Sequence, residues 1–393
     1  MALARSPRLS SGGPLGMVFE LLRDCFTPED PASGFDLLFE LCTHISQGRV
    51  SPSMAYLLGA SRLLALEKPS GGVRPIAVGE VLYRLVARTL GFQFWEALAD
   101  HFSPLQFGAA THGGCKTIIH GLCTTLDLHP NWVVLQVDIR NAFNTVSREA
   151  LFRELRAATG SLDQLFPFVC SFYARCSPLY FFHCSREGEV TLFSSESGTR
   201  QGDPLGGALF SLAHLRALRT TASEHPLCLF PSLADDTHIV GPPEAVVPAF
   251  HTLEGHLSAV GLTVQPTKCA AWSPSGLSSS LSLPLGFSLP SAGLCVLGAP
   301  IGLDSFQASF VRDALEVDVS TVHQLPLLGD PQIAFGLLSR CYVQRLGYLL
   351  RTTPPSLALM STYAWFDDTL LHIVDTLMGS GSFSTPEGLL ARR

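Results

Sequence analysis

The sequence predicts an α+β fold in which short strands pair antiparallel and are backed by helices. Three observations carry that expectation. Val133-Val134-Leu135-Gln136-Val137 is a short, apolar, β-branched run that reads as a buried strand, with Asp138 at its end. Leu233-Ala234-Asp235-Asp236-Thr237 lies between the apolar runs Leu227–Phe230 and His238–Val240, which reads as a hairpin with two acids at its tip. Two further segments repeat apolar residues at helical spacing: Leu205, Ala208, Leu209, Leu212 and Leu215, then Val246, Phe250, Leu253, Leu257 and Val260.

The remaining elements follow in chain order. The first 19 residues hold Arg5, Arg8 and several Ser but no acid, and read as an ordinary exposed terminus rather than a transit peptide. After Asp138 comes a helix with Ser147 as N-cap, Glu149 in its first turn and Gly160 as its stop. Gly198 to Gly207 is a glycine-rich turn, and Asp203 before Pro204 suits an N-cap and first helical position. Its glycines allow close backbone approach to a ligand. It is not a P-loop, because the GK[ST] ending is missing. The helix over 244–260 should end at Gly261. Ser273 to Gly293 is rich in Ser, Leu, Pro and Gly, and reads as a loop or loose hairpin. Beyond Gly302 and Leu303 the pattern is helical to about Met378, followed by a Gly/Ser-rich end.

Composition bounds the function. The chain has 393 residues, 47% of them hydrophobic and 15% charged, which excludes a disordered charged tail. Its 26 Lys and Arg against 33 Asp and Glu give a net charge of −7. Gripping nucleic acid by bulk positive charge normally takes a strongly basic domain, so that mode is disfavoured. Lysine is nearly absent: Lys68, Lys116 and Lys268 are the only three. The 11 cysteines contain no CxxC pair. No secretory leader and no run of ~18 apolar residues is present, so the expected setting is intracellular, nuclear or cytoplasmic, with no membrane partner.

Taken singly, each polar stretch has an ordinary structural account: an acid ending a strand, a turn feeding a core helix, a solvated turn. Together they suggest more. Two carboxylates brought close, Asp138 and Asp235, repel unless a cation lies between them. Hard oxygen ligands that leave waters in place suit Mg²⁺. Two such ions about 3.5–4 Å apart would stabilise the attacking and leaving oxygens of a phosphoryl displacement. Nucleotidyl transfer is thus one candidate among several acidic metal sites.

The order of the motifs resembles one family, the reverse transcriptases, and among them those of non-LTR (LINE-type) retrotransposons. The resemblance covers roughly residues 61 to 302. Lys68-Pro69-Ser70-Gly71-Gly72-Val73-Arg74-Pro75-Ile76 looks like the fingers motif, followed by a helix from Val81 to Leu98. Leu105-Gln106-Phe107-Gly108, then Gly113-Gly114, looks like the QxG segment. Asp138 to Asn144 (DIRNAFN) looks like motif A, Arg200 to Gly206 (RQGDPLG) like motif B, and Ala234-Asp235-Asp236 like motif C. Gly261-Leu262 with Pro266-Thr267-Lys268-Cys269 looks like motif D, and Leu297-Gly298 near Ile301 like motif E.

The resemblance implies a right-hand polymerase fold with fingers, a ferredoxin-like palm and a helical thumb. Fingers and N-terminal region would span 1–132, the palm 133–302 with a fingers insertion at about 152–195, and 303–393 a helical thumb or C-terminal region, complete or not. It implies an RNA-directed DNA polymerase that adds dNTPs to a DNA primer on an RNA template. Asp138, Asp235 and Asp236 would hold two Mg²⁺ ions, with Mn²⁺ able to substitute. Arg74 would pair with the triphosphate, where a guanidinium fork suits phosphate oxygens. Ile139 would lend its backbone nearby. Phe143, at the family's steric-gate position, would clash with a ribose 2′-OH. Gln201 and Gly202 would pack against the nascent base pair or template, and Lys268 would be the general acid for the pyrophosphate.

The sequence departs from the family pattern in places. Leu233 stands where an aromatic residue is usual, and Gln265 where Asn is common. No endonuclease domain is recognisable, so one supplied elsewhere is an expected partner. Cys170, Cys176, His183 and Cys184 fit no zinc module and are expected to be buried fingers residues. His112 with Cys115 is a similarly weak pair. Two alternatives stand beside the polymerase: a catalytically inactive or co-opted retroelement fragment acting only by binding, and another two-metal palm enzyme such as a nucleotidyl cyclase. The acidic balance fits a polymerase core cut from a larger machine, with Arg74, Arg84, Arg88, Arg140 and Arg200 expected along the cleft and a salt-dependent, modest affinity for nucleic acid.

Overall fold

The structure is a computed structural model that describes residues 2–24, 31–68, 71–158, 160–183, 188–278 and 281–379. Pro69 and Ser70 of the fingers motif, Cys184, and the Gly/Ser-rich end after residue 379 lie outside the described residues. In chain order, the first elements are α1 (Phe19–Asp24), α2 (Pro31–Ser46), α3 (Pro52–Leu58), β1 (Ser61–Glu67), β2 (Val73–Gly79), α4 (Val81–Gln93), α5 (Trp95–Phe102) and α6 (Gly114–Leu128). Next come β3 (Val133–Val137), α7 (Ala142–Thr145), α8 (Arg148–Ala157), α9 (Phe166–Tyr173), β4 (Ser177–Phe182), β5 (Val190–Ser195) and α10 (Gly206–Glu224). The chain then forms β6 (Ser232–Leu233), β7 (Asp236–Gly241), α11 (Pro243–Ala259), β8 (Ala270–Trp272), β9 (Gly293–Val296) and β10 (Ala299–Gly302). Four helices follow: α12 (Asp304–Val322), α13 (Pro331–Leu337), α14 (Val343–Thr352) and α15 (Leu357–Met378). The α+β class expected from the sequence is the class observed.

The chain divides into two compact units. The first comprises residues 1–114, 137–269 and 284–286. It contains a four-stranded sheet of order β2-β1-β4-β5, in which β1 and β2 pair antiparallel from Ser61↔Gly79 to Glu67↔Val73. Strands β6 and β7 form the expected hairpin, with Leu233 opposite Asp236, so Ala234 and Asp235 are the turn. A further bridge, Leu229↔Val240, extends the pairing below it. Helix α11 buries Val246, Phe250, Leu253 and Leu257 on one face and gives way to Gly261, whose φ of +80° is left-handed.

Several local expectations shift in this unit. The helix over Val81–Leu98 is two helices, broken at the buried Phe94; Trp95 then turns its ring onto His112 at 5.2 Å. Ser147 does cap α8, accepting from the Ala150 N–H at 3.2 Å. Helix α10 is buried around its circumference from Leu209 to Leu215 rather than on one face. Around the cysteine cluster, Cys170 and His183 are half-buried and Cys176 is exposed, so these are not core residues.

The second unit comprises residues 115–136, 270–283 and 287–393. Within it β3 pairs antiparallel with β8, Leu135 opposite Ala271, and β9 pairs with β10. Val311, Leu315, Leu346, Leu349, Leu359 and Phe366 form the core that joins α12, α14 and α15. Arg312 lies 3.4 Å over the Trp365 ring, a cation–π contact on the rim of that core. Among the described residues no helix is long and apolar enough to cross a membrane.

Candidate active site

Every residue singled out for chemistry falls in the first unit. Asp138 follows the last residue of β3, beyond four buried apolar residues that fix the strand. Its backbone is tied on both sides: its carbonyl accepts from the Gln265 N–H at 2.9 Å, and its own N–H donates to Cys269 Sγ at 3.4 Å. Ile139, buried, bridges Val264, and the Arg140 N–H donates to Thr263 O at 2.9 Å. This short ladder brings the turn Pro266–Lys268 beside Asp138, and the exposed Lys268 acts on the Asp138 charge.

Asp235 occupies the second turn position of the β6–β7 hairpin and Asp236 starts β7. The three carboxyls feel one another. Burial pushes Asp138 up from the ordinary carboxylate range, opposed by the charges of Lys268 and Lys68. Burial also raises Asp235, with Asp138 adding to the rise and Arg74 on β2 opposing it. Asp236, exposed as a residue, has its carboxyl pushed up to about 6 by desolvation and then by the charges of Asp235 and Asp138. The arrangement concentrates negative charge that a cation would relieve. Its donors are hard oxygens without thiolate or imidazole, the set that suits Mg²⁺. Among the described residues no group of three or more His, Cys, Asp or Glu is placed so that it could hold a metal ion.

Phe143 sits on the one-turn helix α7, entered through Asn141 in left-handed geometry at φ 50°. Its half-buried ring stacks on Phe210 of α10 with centroids 4.7 Å apart and planes 18° from parallel. The Phe143 carbonyl accepts from the Thr199 N–H at 2.6 Å, so the Phe143 backbone is tied to the loop that opens motif B.

That loop is held by charge. Arg200 is sandwiched between the Tyr83 and Tyr173 rings, 4.8 Å from each centroid, and donates to Gly59 O at 2.6 Å. It pairs with Asp203 Oδ2, which also accepts from the hydroxyls of Tyr83 and Tyr173. Asp203 is thus not the expected helix cap: α10 begins only at Gly206 with Leu205 as its N-cap, and Asp203 Oδ1 accepts from the Leu205 N–H at 2.9 Å while Oδ2 is taken up by Arg200 and the two tyrosines. Gln201 lies in the bend between them. Its carbonyl accepts from the Ala77 N–H of β2 at 2.6 Å, and its buried Oε1 has no hydrogen-bond partner among the described residues. Gly202 has φ +108°, and a Cβ there would lie 2.5 Å from Ala77 O. Only glycine fits.

The expected arginine-lined cleft is reduced accordingly. Arg200 is buried, while Arg84 donates to Ser11 O at 2.7 Å and Arg88 to Arg5 O at 3.3 Å, so both brace the N-terminal segment. Both still border a groove of about 590 Å³ that also meets Trp95, Gly108, Gly202 and Leu205. Arg74 and Arg140 remain exposed. Sequence reasoning assigned no role to Gln106, His214, Tyr83 or Tyr173, all of which contact the loops that carry the site residues. For Gln106 the signal was present in the QxG segment. The tyrosines had none, since they meet Asp203 across 120 and 30 residues.

Residues 66–314 match the family model described as reverse transcriptase (RNA-dependent DNA polymerase). The chain is 27% identical over 215 residues to the retrotransposable element SLACS 132 kDa protein of Trypanosoma brucei gambiense, a match covering 55% of this chain and 18% of that protein. It is 30% identical over 154 residues to the retrovirus-related Pol polyprotein from type-1 retrotransposable element R2 of Popillia japonica, covering 37% of this chain and 25% of the relative. The match thus spans a quarter or less of each relative's length. Among solved structures, an apo telomerase from Candida tropicalis superposes with a TM-score of 0.48 at 11% identity, covering 84% of this chain and 64% of that one. The fold is the right-hand polymerase fold, and the chain belongs to the reverse transcriptase family.

Proposed function

We propose that this chain is a working RNA-directed DNA polymerase, extending a DNA primer with dNTPs along an RNA template by two-metal nucleotidyl transfer. The observation that carries the reading is the convergence of Asp138, Asp235 and Asp236 charge at one place, faced by Lys268, Lys68 and Arg74. In this reading residues 1–132 with about 152–195 act as fingers, 133–302 as palm and 303–393 as thumb.

Asp138 and Asp235, with Asp236 beside them, would hold two Mg²⁺ ions, or Mn²⁺. When bound, these supply Lewis-acid charge to the primer 3′ oxygen and to the departing pyrophosphate. Arg74 binds and orients the triphosphate through its guanidinium fork, with the Ile139 backbone alongside. The Phe143 ring, braced by Phe210, occupies the space a ribose 2′-OH would need. Gln201 offers its unpartnered Oε1, and Gly202 its bare backbone, to the nascent base pair and template. Lys268 donates a proton to the pyrophosphate as the bond to the α-phosphorus breaks. The groove beside Gly202, with Arg84, Arg88 and Trp95 on its walls, suits a nucleic-acid strand that needs charge and a stacking face.

The test uses the full chain with a poly(rA) template, a DNA primer, Mg²⁺ and dTTP, beside an Asp235→Asn variant. Extension by the parent that vanishes in the variant is expected. A parent that extends no primer under any metal or salt condition overturns the activity and leaves a fragment that acts only by binding.

A further inference from the structure

The hairpin tip that presents Asp235 is made from a residue poorly suited to it. Ala234 has φ 52°, a left-handed conformation that brings the Cβ of an L-residue too close to the following carbonyl oxygen. Glycine, asparagine or aspartate would be the usual choice for such a turn. Something must hold alanine there.

The holder is a side-chain amide. The Ala234 N–H donates to Gln106 Oε1 at 2.7 Å, and the Ala234 carbonyl accepts from Gln106 Nε2 at 2.9 Å. Gln106 therefore grips both polar groups of one turn residue, as a neighbouring strand would. Its own Oε1 also accepts from the Gly108 N–H at 2.9 Å. The flanking backbone joins in: the Ser232 N–H donates to Leu105 O at 2.9 Å, and the Phe107 N–H to Ser232 O at 2.7 Å. Gly108 completes the seat by leaving room. A Cβ at that position would fall inside contact distance of the Ala234 nitrogen.

Gln106 is 1% exposed, and its second Nε2 hydrogen points to His214 Nδ1 at 3.1 Å. That contact fixes the amide orientation and leaves His214 Nε2–H to face Thr237 Oγ1 at 3.4 Å. The Thr237 hydroxyl in turn faces the Asp235 carbonyl at 3.4 Å. Burial holds His214 neutral, with its pKa pulled down to about 4, as an accepting Nδ1 requires. The His214 ring also stacks against Phe210, 5.4 Å away, the same ring that supports Phe143.

We infer that Gln106 is a positioning residue for catalysis: with Gly108 as its clearance and His214 and Thr237 as its continuation, it clasps Ala234 and so sets the carboxylate of Asp235. This rests on the proposed role of Asp235. It assigns the glutamine and glycine of the QxG segment a shared task, seating the tip of the motif C hairpin.

The experiment compares the full-length parent with Gln106→Met, which keeps the volume and removes the clasp, and with Gly108→Ala. Hydrogen exchange of the Ala234 amide is read without substrate, and primer extension gives kcat and KM separately. In Gln106→Met the Ala234 amide should exchange about tenfold faster, the loss of one hydrogen bond. Its kcat should fall about 10–100-fold, the scale of a displaced catalytic group, with KM for dTTP held within about twofold. Adding Ala234→Gly, which lets the turn adopt its conformation unaided, should recover part of that kcat. Unchanged Ala234 exchange, or a kcat that follows only the loss of folded protein, overturns the clasp. If Gln106→Met does not fold, Gln106→Asn, one methylene short of the turn, gives the same readings. Failure of the polymerase reading looks different: the parent does not extend, or Asp235→Asn extends as well as the parent, while exchange at Ala234 still decides the clasp.

Discussion

Arg200 and Asp203 form an ion pair at 3.2 Å in which both side chains are almost fully buried, 4% and 1% exposed. Paired charges this deep hold the loop between them only while both are present. Asp203→Ala would leave Arg200 buried without its anion and the Tyr83 and Tyr173 hydroxyls without their acceptor. The expected cost is about 3–5 kcal/mol, read as a lower urea midpoint. Arg200→Lys should lose much of the same stability, since an ammonium cannot lie flat between two rings while reaching both Gly59 O and Asp203.

Gly202→Ala tests the neighbouring bend. The substitution forces φ +108° on an L-residue and drives a Cβ against Ala77 O. The loop must move away from β2, and the Ala77 N–H to Gln201 O bond must lengthen. A stability loss of about 1–3 kcal/mol is expected, with a larger KM for primer–template than for dNTP. An equal effect on both would place Gln201 elsewhere than at the base pair.

Phe143→Ala should relax sugar selection. The ring is held flat against Phe210 and cannot swing to admit a 2′-OH while that stack persists. The ratio of dNTP to rNTP incorporation should fall by about tenfold or more, as expected when a steric contact is removed. A ratio that does not change would show that the ring supports α10 rather than gating the sugar.

Lys268→Ala should slow chemistry without weakening dNTP binding in proportion. A general acid contributes about 10²–10⁴-fold, so the single-turnover extension rate at saturating dNTP is the measurement, and it should fall on that scale. An unchanged rate would remove Lys268 from the mechanism.

The buried histidines give the fold a slope in acid. Burial pulls both His214 and His238 down to about 4, while the unfolded chain binds protons near 6.5. Between those values the unfolded state holds more protons, so stability from these two residues is full above about pH 6.5 and declines as pH falls toward 4. Asp236, pushed up to about 6, contributes the opposite slope. The difference between the parent and His214→Gln therefore isolates one histidine, and urea midpoints from pH 7 to 4 should fall less steeply in the variant.

Much of the site was legible because its carriers are local. A β-branched run closing on Asp138, a two-residue turn holding Asp235, and an apolar stripe from Val246 to Leu257 each announce themselves within a dozen residues. What stayed hidden depends on partners far along the chain. Asp203 looked like a helix cap because nothing near it in sequence reveals Tyr83 or Tyr173. Gln106 could be noticed but not explained, since it meets Ala234 across 128 residues. The arginines misled for a related reason: a guanidinium serves a backbone carbonyl as well as a phosphate, and Arg84, Arg88 and Arg200 are used that way here.

The scarcity of lysine has a practical side. Of three lysines in the chain, Lys68 and Lys268 both lie within electrostatic reach of Asp138, and only Lys116 belongs to the other unit. An amine-directed reagent therefore meets few targets beyond the α-amino group, and most of them border the carboxylates. Labelling followed by peptide mass mapping becomes a nearly site-directed footprint, in which a seated nucleotide shields Lys68 and Lys268 and leaves Lys116 as the internal reference.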